Sequence, residues 1–181
     1  TYRDVPLAAD LEADFSLIEG ATPASSSFEL NGQGRYRQMP LTARLKTSGV
    51  LPVVTEQAVS VPVFLDARVG GASVHFEGTA TDALNLGALK GRYTVQGPSL
   101  AAVGDPLRVT LPTTGPFRAQ GLIAKEGVVW HVVSEQLQIG SSRLGGSFTY
   151  DPRPRVPLLS GRLSGARLQL VDLGPAVGTR A

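Results

Sequence analysis

Apolar and polar residues alternate over most of this chain. In the stretch VPLAADLEADFSL, residues 5–17, every odd position is apolar and most even positions are acidic or hydroxyl-bearing. A period of two places successive side chains on opposite faces of an extended strand. The stretch therefore predicts a β-strand with one apolar and one polar face, and it raises the question of what the apolar face contacts.

The same alternation recurs between short turn signals. Residues 63–69 and 74–77 alternate on either side of Gly70-Gly71, and a two-residue glycine loop is typical of a β-hairpin because its turn needs positive φ. Gln38-Met39-Pro40 is predicted to join another pair of strands. Further strands are expected at residues 28–36, 41–46, 117–124, 128–132, 141–150, 156–165 and 166–172. Roughly ten to twelve strands joined by short turns predict an antiparallel all-β architecture.

Two stretches depart from this pattern. Around residues 97–104, Pro98 stands where a helix starts and a glycine stands where it stops, which predicts one or two helical turns. The segment 48–60 is interpreted either as an edge loop or as a short irregular strand, since Pro52 disfavours central pairing.

Composition narrows the possible classes of protein. A hydrophobic content of 42% with 18% charged residues argues against disorder, and 181 residues suit one domain. The net charge of +2 is spread along the chain, which disfavours nucleic acid as a partner. Without cysteine there is neither a disulfide framework nor a thiolate zinc site. No run approaches the ~20 apolar residues of a membrane span.

Residues that could carry catalysis are few. His75 and His131 are the only histidines, and each lies in an alternating strand, which favours a surface or cross-strand position. Asp10, Glu12 and Asp14 share one strand face without a converging second set, so a solvated face is favoured over a metal or acid site. The sequence therefore predicts no enzyme, no metal site and no cofactor.

The apolar face leaves two alternatives open. Residues 5–17 would span about 40 Å at ~3.3 Å per residue, well beyond an ordinary strand. Such a sheet either packs on a second sheet, as in a sandwich, or curls into an open trough whose lining is the binding surface. Periodicity alone favours the sandwich.

The C-terminal passage SSRLGGSFTYDPRPRVPLLSGRLSGARLQLVDLGPAVG changes that balance, because it resembles a repeating passage of the AsmA-like proteins. Upstream segments follow the same order of strands, so the resemblance covers most of residues 28–178. Gly145 and Ser142-Arg143 depart from the usual pattern without changing the strands. The matching residues are Ser141, Leu144, Gly146, Pro154, Leu159, Gly161, Leu163, Leu168, Leu170, Asp172, Leu173, Gly174 and Pro175.

The resemblance implies a fold and a function. AsmA-like proteins are bridge-like lipid-transfer proteins of the bacterial envelope, built as long curled antiparallel β-sheets that form an open groove. The chain, residues 1–181, is then expected to be a single β-groove segment of a larger periplasmic protein anchored in the inner membrane. The implied partners are phospholipid, the inner and outer membranes and envelope proteins, and the implied role is phospholipid transfer that supports outer-membrane integrity. The family has no catalytic residues to carry over.

We expect the lining of the groove to come from apolar positions of the alternating strands. The alternative is a structural or adhesive β-sandwich that binds protein partners by strand addition. Candidate lining residues are Leu7, Leu11, Phe15, Leu30, Leu45, Leu65, Val74, Phe76, Trp130, Val132, Leu144 and Phe148.

Overall fold

The chain folds into one large antiparallel sheet. The computed structural model describes residues 2–4, 9–18, 26–48, 60–81, 87–107 and 110–173. Eleven strands lie side by side in their sequence order, which confirms the all-β antiparallel prediction. The strands are β1 (Tyr2–Asp4), β2 (Ala9–Ile18), β3 (Ser27–Tyr36), β4 (Met39–Ser48), β5 (Ser60–Val69), β6 (Ala72–Thr81), β7 (Ala88–Gly97), β8 (Phe117–Glu126), β9 (Val129–Ile139), β10 (Ser142–Asp151) and β11 (Leu158–Arg167).

The sheet is open, with β1 at one edge and β11 at the other. Strands β2 to β8, β10 and β11 each contain 10 residues, and β9 contains 11. Each is therefore about 33 Å long at ~3.3 Å per residue. Within the ranges given above no second sheet covers this one, and the architecture is the open curled sheet that the sequence predicted.

The hairpin turns follow local backbone chemistry. Gly70 and Gly71 have φ of 56° and 92°, so the predicted glycine hairpin between β5 and β6 is confirmed. The β3–β4 turn consists of Arg37 and Gln38, with φ of 49° and 67°, and not of the predicted Gln38-Met39-Pro40. Pro40 lies instead near the start of β4, where a proline is tolerated, and its carbonyl accepts a hydrogen bond from the Gly70 N–H at 3.1 Å.

The C-terminal strand and the short helix differ from their sequence predictions. The strand predicted for residues 166–172 is wrong beyond Arg167, because the chain leaves the sheet there and forms a 3₁₀ turn, Leu170–Leu173. The short helix is real, but α1 spans Ala101–Leu107, since β7 continues to Gly97. Residues 5–8 of the N-terminal strand prediction and residues 49–59 of the ambiguous segment lie outside the described ranges.

The helix is held against the sheet by polar and apolar contacts. The Thr114 hydroxyl accepts a hydrogen bond from the Leu100 N–H at 3.0 Å, and the Thr114 N–H donates to the Ser99 hydroxyl at 2.9 Å. Leu100 and Val103 pack against a buried cluster formed by strands β8 to β10. This cluster contains Phe117, Leu137, Ile139 and Leu144.

A second buried cluster lies on β5 and β6. Val61, Val63, Phe76 and Ala80 form it, and half-buried apolar residues of β4, β7 and β8 pack around it. Both clusters occupy the same side of the sheet. Among the described residues the core therefore lies on one side of a single sheet.

Candidate functional site

The strand register brings predicted lining residues into one row. Residues directly opposite each other in an antiparallel pair lie on the same face of the sheet. From β2 to β6, successive opposite residues are Phe15, Leu30, Leu45, Leu65 and Phe76. Five apolar side chains from five strands thus form a row that crosses half of the sheet.

The other predicted lining residues fall on the same face in parallel rows. Val74 and Leu144 share one row, and Val132 lies opposite Phe148 in another. Leu11 and Trp130 lie on this face by the same register. Only Leu7 is outside the described residues. We call this side of the sheet the apolar face; its function as a lipid lining stays a prediction.

Exposure of the apolar face rises towards both edges. Phe76 and Leu144 are buried, at 5% and 8% exposure, whereas most of the other predicted lining residues are half-buried. On β2 the Phe15 side chain is 77% exposed, and on β11 Leu163 is 51% exposed. Exposed large apolar side chains at the sheet edges are a binding surface or an aggregation liability in a soluble chain.

Glycines leave space that aromatic rings occupy on the apolar face. Gly78 and Gly91 are directly opposite each other, and a Cβ on either would stand 2.7 Å from a ring atom of Phe76. The Phe148 ring covers Gly161 in the same way, since a Cβ there would lie 2.5 Å from ring atom Cδ1. The rings thus occupy the space that side chains at these glycines would fill.

Few polar side chains interrupt the apolar face. Burial raises the pKa of the Tyr93 hydroxyl, and a hydrogen bond with Ser134 acts in the opposite direction. The Thr47 hydroxyl is buried without a hydrogen-bond partner. Among the apolar-face positions of β2 to β11, Lys125 is the one charged residue.

The opposite side, which we call the polar face, carries the charges. Arg44 forms an ion pair with Glu29 at 2.6 Å, and this hydrogen-bonded contact lowers the pKa of the Glu29 carboxyl. His75 Nδ1 lies 2.7 Å from an oxygen of Asp66. His131 Nδ1 lies 3.4 Å from the Thr149 hydroxyl, so both histidines take cross-strand surface positions.

The acidic residues of β2 also lie on the polar face. Asp10, Glu12 and Asp14 are exposed there. No group of three or more His, Cys, Asp or Glu suited to holding a metal ion occurs in the part of the chain that the structure describes.

An open hollow of about 770 Å³ lies on the polar face, and no pattern in the sequence predicted it. Its walls include Arg44, Asp66, Arg68, His75 and Arg118. Several of these charges already have neighbours of opposite sign or amide partners, such as Gln96 beside Arg118 at 3.1 Å. The alternating polar positions were visible in the sequence, but the depth of this surface depends on how the sheet curls.

One open antiparallel sheet, with a continuous apolar face and a charged opposite face, defines a β-sheet protein with an extended apolar surface. Over 156 residues the chain is 35% identical to the AsmA family protein YhjG of Escherichia coli (strain K12). The chain belongs to the AsmA-like family, as its C-terminal motif predicted.

The match has a limited extent. It covers 83% of this chain and 23% of YhjG. No family model matches the chain, and no solved structure matches it. In the residues that the structure describes, no helix has both the length and the apolarity needed to cross a bilayer.

Proposed function

We propose that the apolar face shields the acyl chains of phospholipid that moves between the inner and outer membranes of the bacterial envelope. The observation that carries this proposal is the apolar face itself, which continues across the strands and stays exposed at β2 and β11. Membership in the AsmA-like family, which is associated with lipid transport in the envelope, supports the same function.

The energetics of acyl chains suit such a surface. Burial of hydrocarbon is worth ~0.8 kcal/mol per CH₂, so a sixteen-carbon chain gains on the order of 12 kcal/mol when fully shielded. A lipid that moves along the apolar face must not bind at one place much more tightly than at the others. The Phe76 ring occupies the space above Gly78 and Gly91, so these glycines leave no gap in the apolar face.

The place of action is part of the proposal. The larger protein holds this segment in the periplasm from an inner-membrane anchor, and envelope proteins are its partners. In this arrangement the apolar face is one stretch of a longer route, and its loss weakens the outer membrane.

The first test is lipid extraction. The purified chain is treated with organic solvent, and the extract is examined by mass spectrometry for phospholipid. Bound phospholipid in a fixed ratio to protein is the expected result. An extract without lipid, both from fresh protein and after incubation with phospholipid vesicles, would overturn the proposal.

A matched pair of variants assigns the lipid to the apolar face. Val132 and Val133 are neighbours on β9 and lie on opposite faces. We expect Val132→Lys to reduce the amount of bound phospholipid, because the charge interrupts the apolar row, and Val133→Lys to leave it unchanged. Equal losses in the two variants would show that the lipid does not lie on the apolar face.

Strand addition remains a second candidate function, favoured by β11. All 10 residues of this edge strand are exposed, including Leu158, Leu159 and Leu163. An exposed edge accepts a strand from another protein through backbone hydrogen bonds. This function predicts a stoichiometric protein complex that persists when the chain is free of lipid.

A further inference from the structure

The charge on the apolar face stands in an unusual row. Lys125 on β8 lies opposite Trp130 on β9, and Trp130 lies opposite Tyr150 on β10. The Lys125 ammonium is 5.9 Å from the centroid of the Trp130 ring. All three side chains are half-buried. A cation and two amphipathic aromatic residues thus meet at one place on a face that is otherwise apolar.

This row lies at the boundary between the apolar face and water. β8 ends at Glu126 and β10 ends at Asp151, each one residue beyond the row. Trp and Tyr suit such boundaries because one end of each ring is apolar and the other bears a hydrogen-bond donor. A lysine there places its stem over apolar surface and its ammonium towards water.

The next row inward is entirely apolar. It consists of Ile123, Val132 and Phe148, which are opposite one another on β8, β9 and β10. The apolar row and the row that contains Lys125 are therefore adjacent, and the surface changes from apolar side chains to a cation over two residues of each strand. A glycerophospholipid has the same step, from acyl chain to phosphate.

We propose that Lys125, Trp130 and Tyr150 bind the phosphate of a glycerophospholipid whose acyl chain lies on the row of Ile123, Val132 and Phe148. The proposal rests on the proposed function and adds selection for phosphate-bearing lipids over neutral ones. The ammonium supplies charge and N–H donors, and the indole N–H and the phenol hydroxyl are further donors. Half-burial strengthens the attraction to phosphate relative to open water.

The residues of this site bind phosphate only weakly. One half-buried ammonium at a phosphate contributes a selection of about threefold to tenfold, which favours phosphate-bearing lipid without trapping it. The proposal concerns the phosphate that all glycerophospholipids share, and it assigns no contact to the group beyond the phosphate.

The test compares two lipids that differ only in the phosphate. The chain is incubated with vesicles that contain dioleoyl phosphatidate and dioleoylglycerol in equal amounts, re-isolated, and its bound lipids are measured by mass spectrometry. Lys125→Gln is expected to lower the ratio of bound phosphatidate to diacylglycerol by about threefold to tenfold. Lys125→Arg is expected to keep the wild-type ratio.

Lys90→Gln is the matched control. Lys90 lies on β7 near the same end of the strands, but it is exposed on the polar face. The Lys90→Gln substitution removes one positive charge and leaves the row of Lys125, Trp130 and Tyr150 intact. We therefore expect no change in the ratio of bound phosphatidate to diacylglycerol. An unchanged ratio in Lys125→Gln, or an equal fall in Lys90→Gln, with total bound lipid retained, would overturn the phosphate site alone. A wild-type chain that binds neither lipid would overturn the proposed function instead.

Trp130 allows a measurement that needs no variant, because it is the single tryptophan of the chain. A phospholipid with a spin label on its headgroup is expected to quench Trp130 fluorescence more than one labelled near the end of the acyl chain. Lipid that is bound while showing the reverse order of quenching would overturn the site. Inorganic phosphate in excess is expected to leave the quenching unchanged, whereas its displacement of the labelled lipid would identify a site for free phosphate.

Discussion

The Asp172 carboxylate accepts two hydrogen bonds from Ser142, from the backbone N–H at 2.8 Å and from the hydroxyl at 2.7 Å. The same oxygen accepts two more from the N–H and hydroxyl of Ser141, both at 3.0 Å. Ser142 is fully buried. The 3₁₀ turn that follows β11 is thereby tied to the turn between β9 and β10, about 30 residues earlier in the chain.

This contact predicts a pH-dependent contribution to stability. The hydrogen bond from the Ser142 side chain is the largest cause that lowers the pKa of Asp172 from its ordinary value of 3.8. A carboxyl with a lowered folded-state pKa stabilises the fold above the unfolded-state pKa, and this contribution disappears as the pH falls through the folded-state pKa. Asp172→Asn is therefore expected to lower the melting temperature at pH 7 and to flatten its fall below pH ~4.

The control for this experiment is Asp14→Asn. Asp14 is exposed on the polar face, and its replacement is expected to leave the melting temperature at pH 7 as in the wild type. If Asp172→Asn melts at the wild-type temperature at pH 7, the tie between the two turns does not contribute to stability.

Gly91 is expected to tolerate no side chain. A Cβ at this position would stand 2.7 Å from the Cα of Gly78 and 2.7 Å from a Phe76 ring atom. Overpacking of this kind costs about 1–3 kcal/mol, so Gly91→Ala should lower the free energy of unfolding by that amount in urea titrations.

Gly32→Ala is the comparison, since its Cβ would find its nearest neighbours at 3.9 Å on the same face. We expect its stability to equal or slightly exceed that of the wild type. Equal stability of both variants would contradict the close packing of Phe76 over the glycines.

Ile139 is predicted to be a main contributor to the cluster under α1. It is 1% exposed and contacts the buried residues of β8 to β10. Ile139→Ala should lower the free energy of unfolding by about 2–5 kcal/mol. Ile18→Ala removes the same atoms from a side chain that is 60% exposed, and it should change stability by less than about 0.5 kcal/mol. Similar losses in the two variants would be the contrary result.

Tyr93 is expected to affect stability at alkaline pH. Burial, the largest cause, raises the pKa of its hydroxyl above the ordinary value of 10.0. Because the folded-state pKa is raised, the protonated hydroxyl stabilises the fold fully below the unfolded-state pKa. This contribution is lost as the pH rises through the folded-state pKa. Tyr93→Phe removes the hydrogen bond to Ser134, so its free energy of unfolding at pH 7 should be about 0.5–1.5 kcal/mol lower than that of the wild type. Above pH ~10 the free energy of unfolding of the variant should fall less steeply than that of the wild type. If the free energy of unfolding falls by the same amount in both proteins between pH 7 and a pH above ~10, the prediction is wrong.

Much of the fold was readable because a period of two determines which side chains share a face. The described residues of the predicted lining all lie on the apolar face, and Asp10, Glu12 and Asp14 all lie on the opposite one. The glycine pair at Gly70 marked a hairpin because only a few residue types adopt positive φ without strain.

Other features depended on contacts that no local pattern contains. Alternation continued through Leu168 and Leu170, yet the chain leaves the sheet there and forms a 3₁₀ turn whose Asp172 is hydrogen-bonded to the distant Ser142. Arg37 and Gln38 form the β3–β4 turn although neither is a usual residue for positive φ. At the first place the hydrogen bonds to Asp172 join residues about 30 positions apart, and at the second the pairing of Tyr36 with Met39 leaves only two residues for the turn.

The sequence by itself determined that this chain is an antiparallel β protein with one apolar and one polar face, since alternation and turn residues are local properties. Alternation by itself left a sandwich and one open curled sheet as alternatives, the resemblance to the AsmA-like family implied the open sheet, and the tertiary structure shows it. Only the tertiary structure decided that Lys125, Trp130 and Tyr150 meet in one row. The physical reason is register: residues become neighbours across strands through backbone pairing over the whole sheet, which a period of two leaves free to shift.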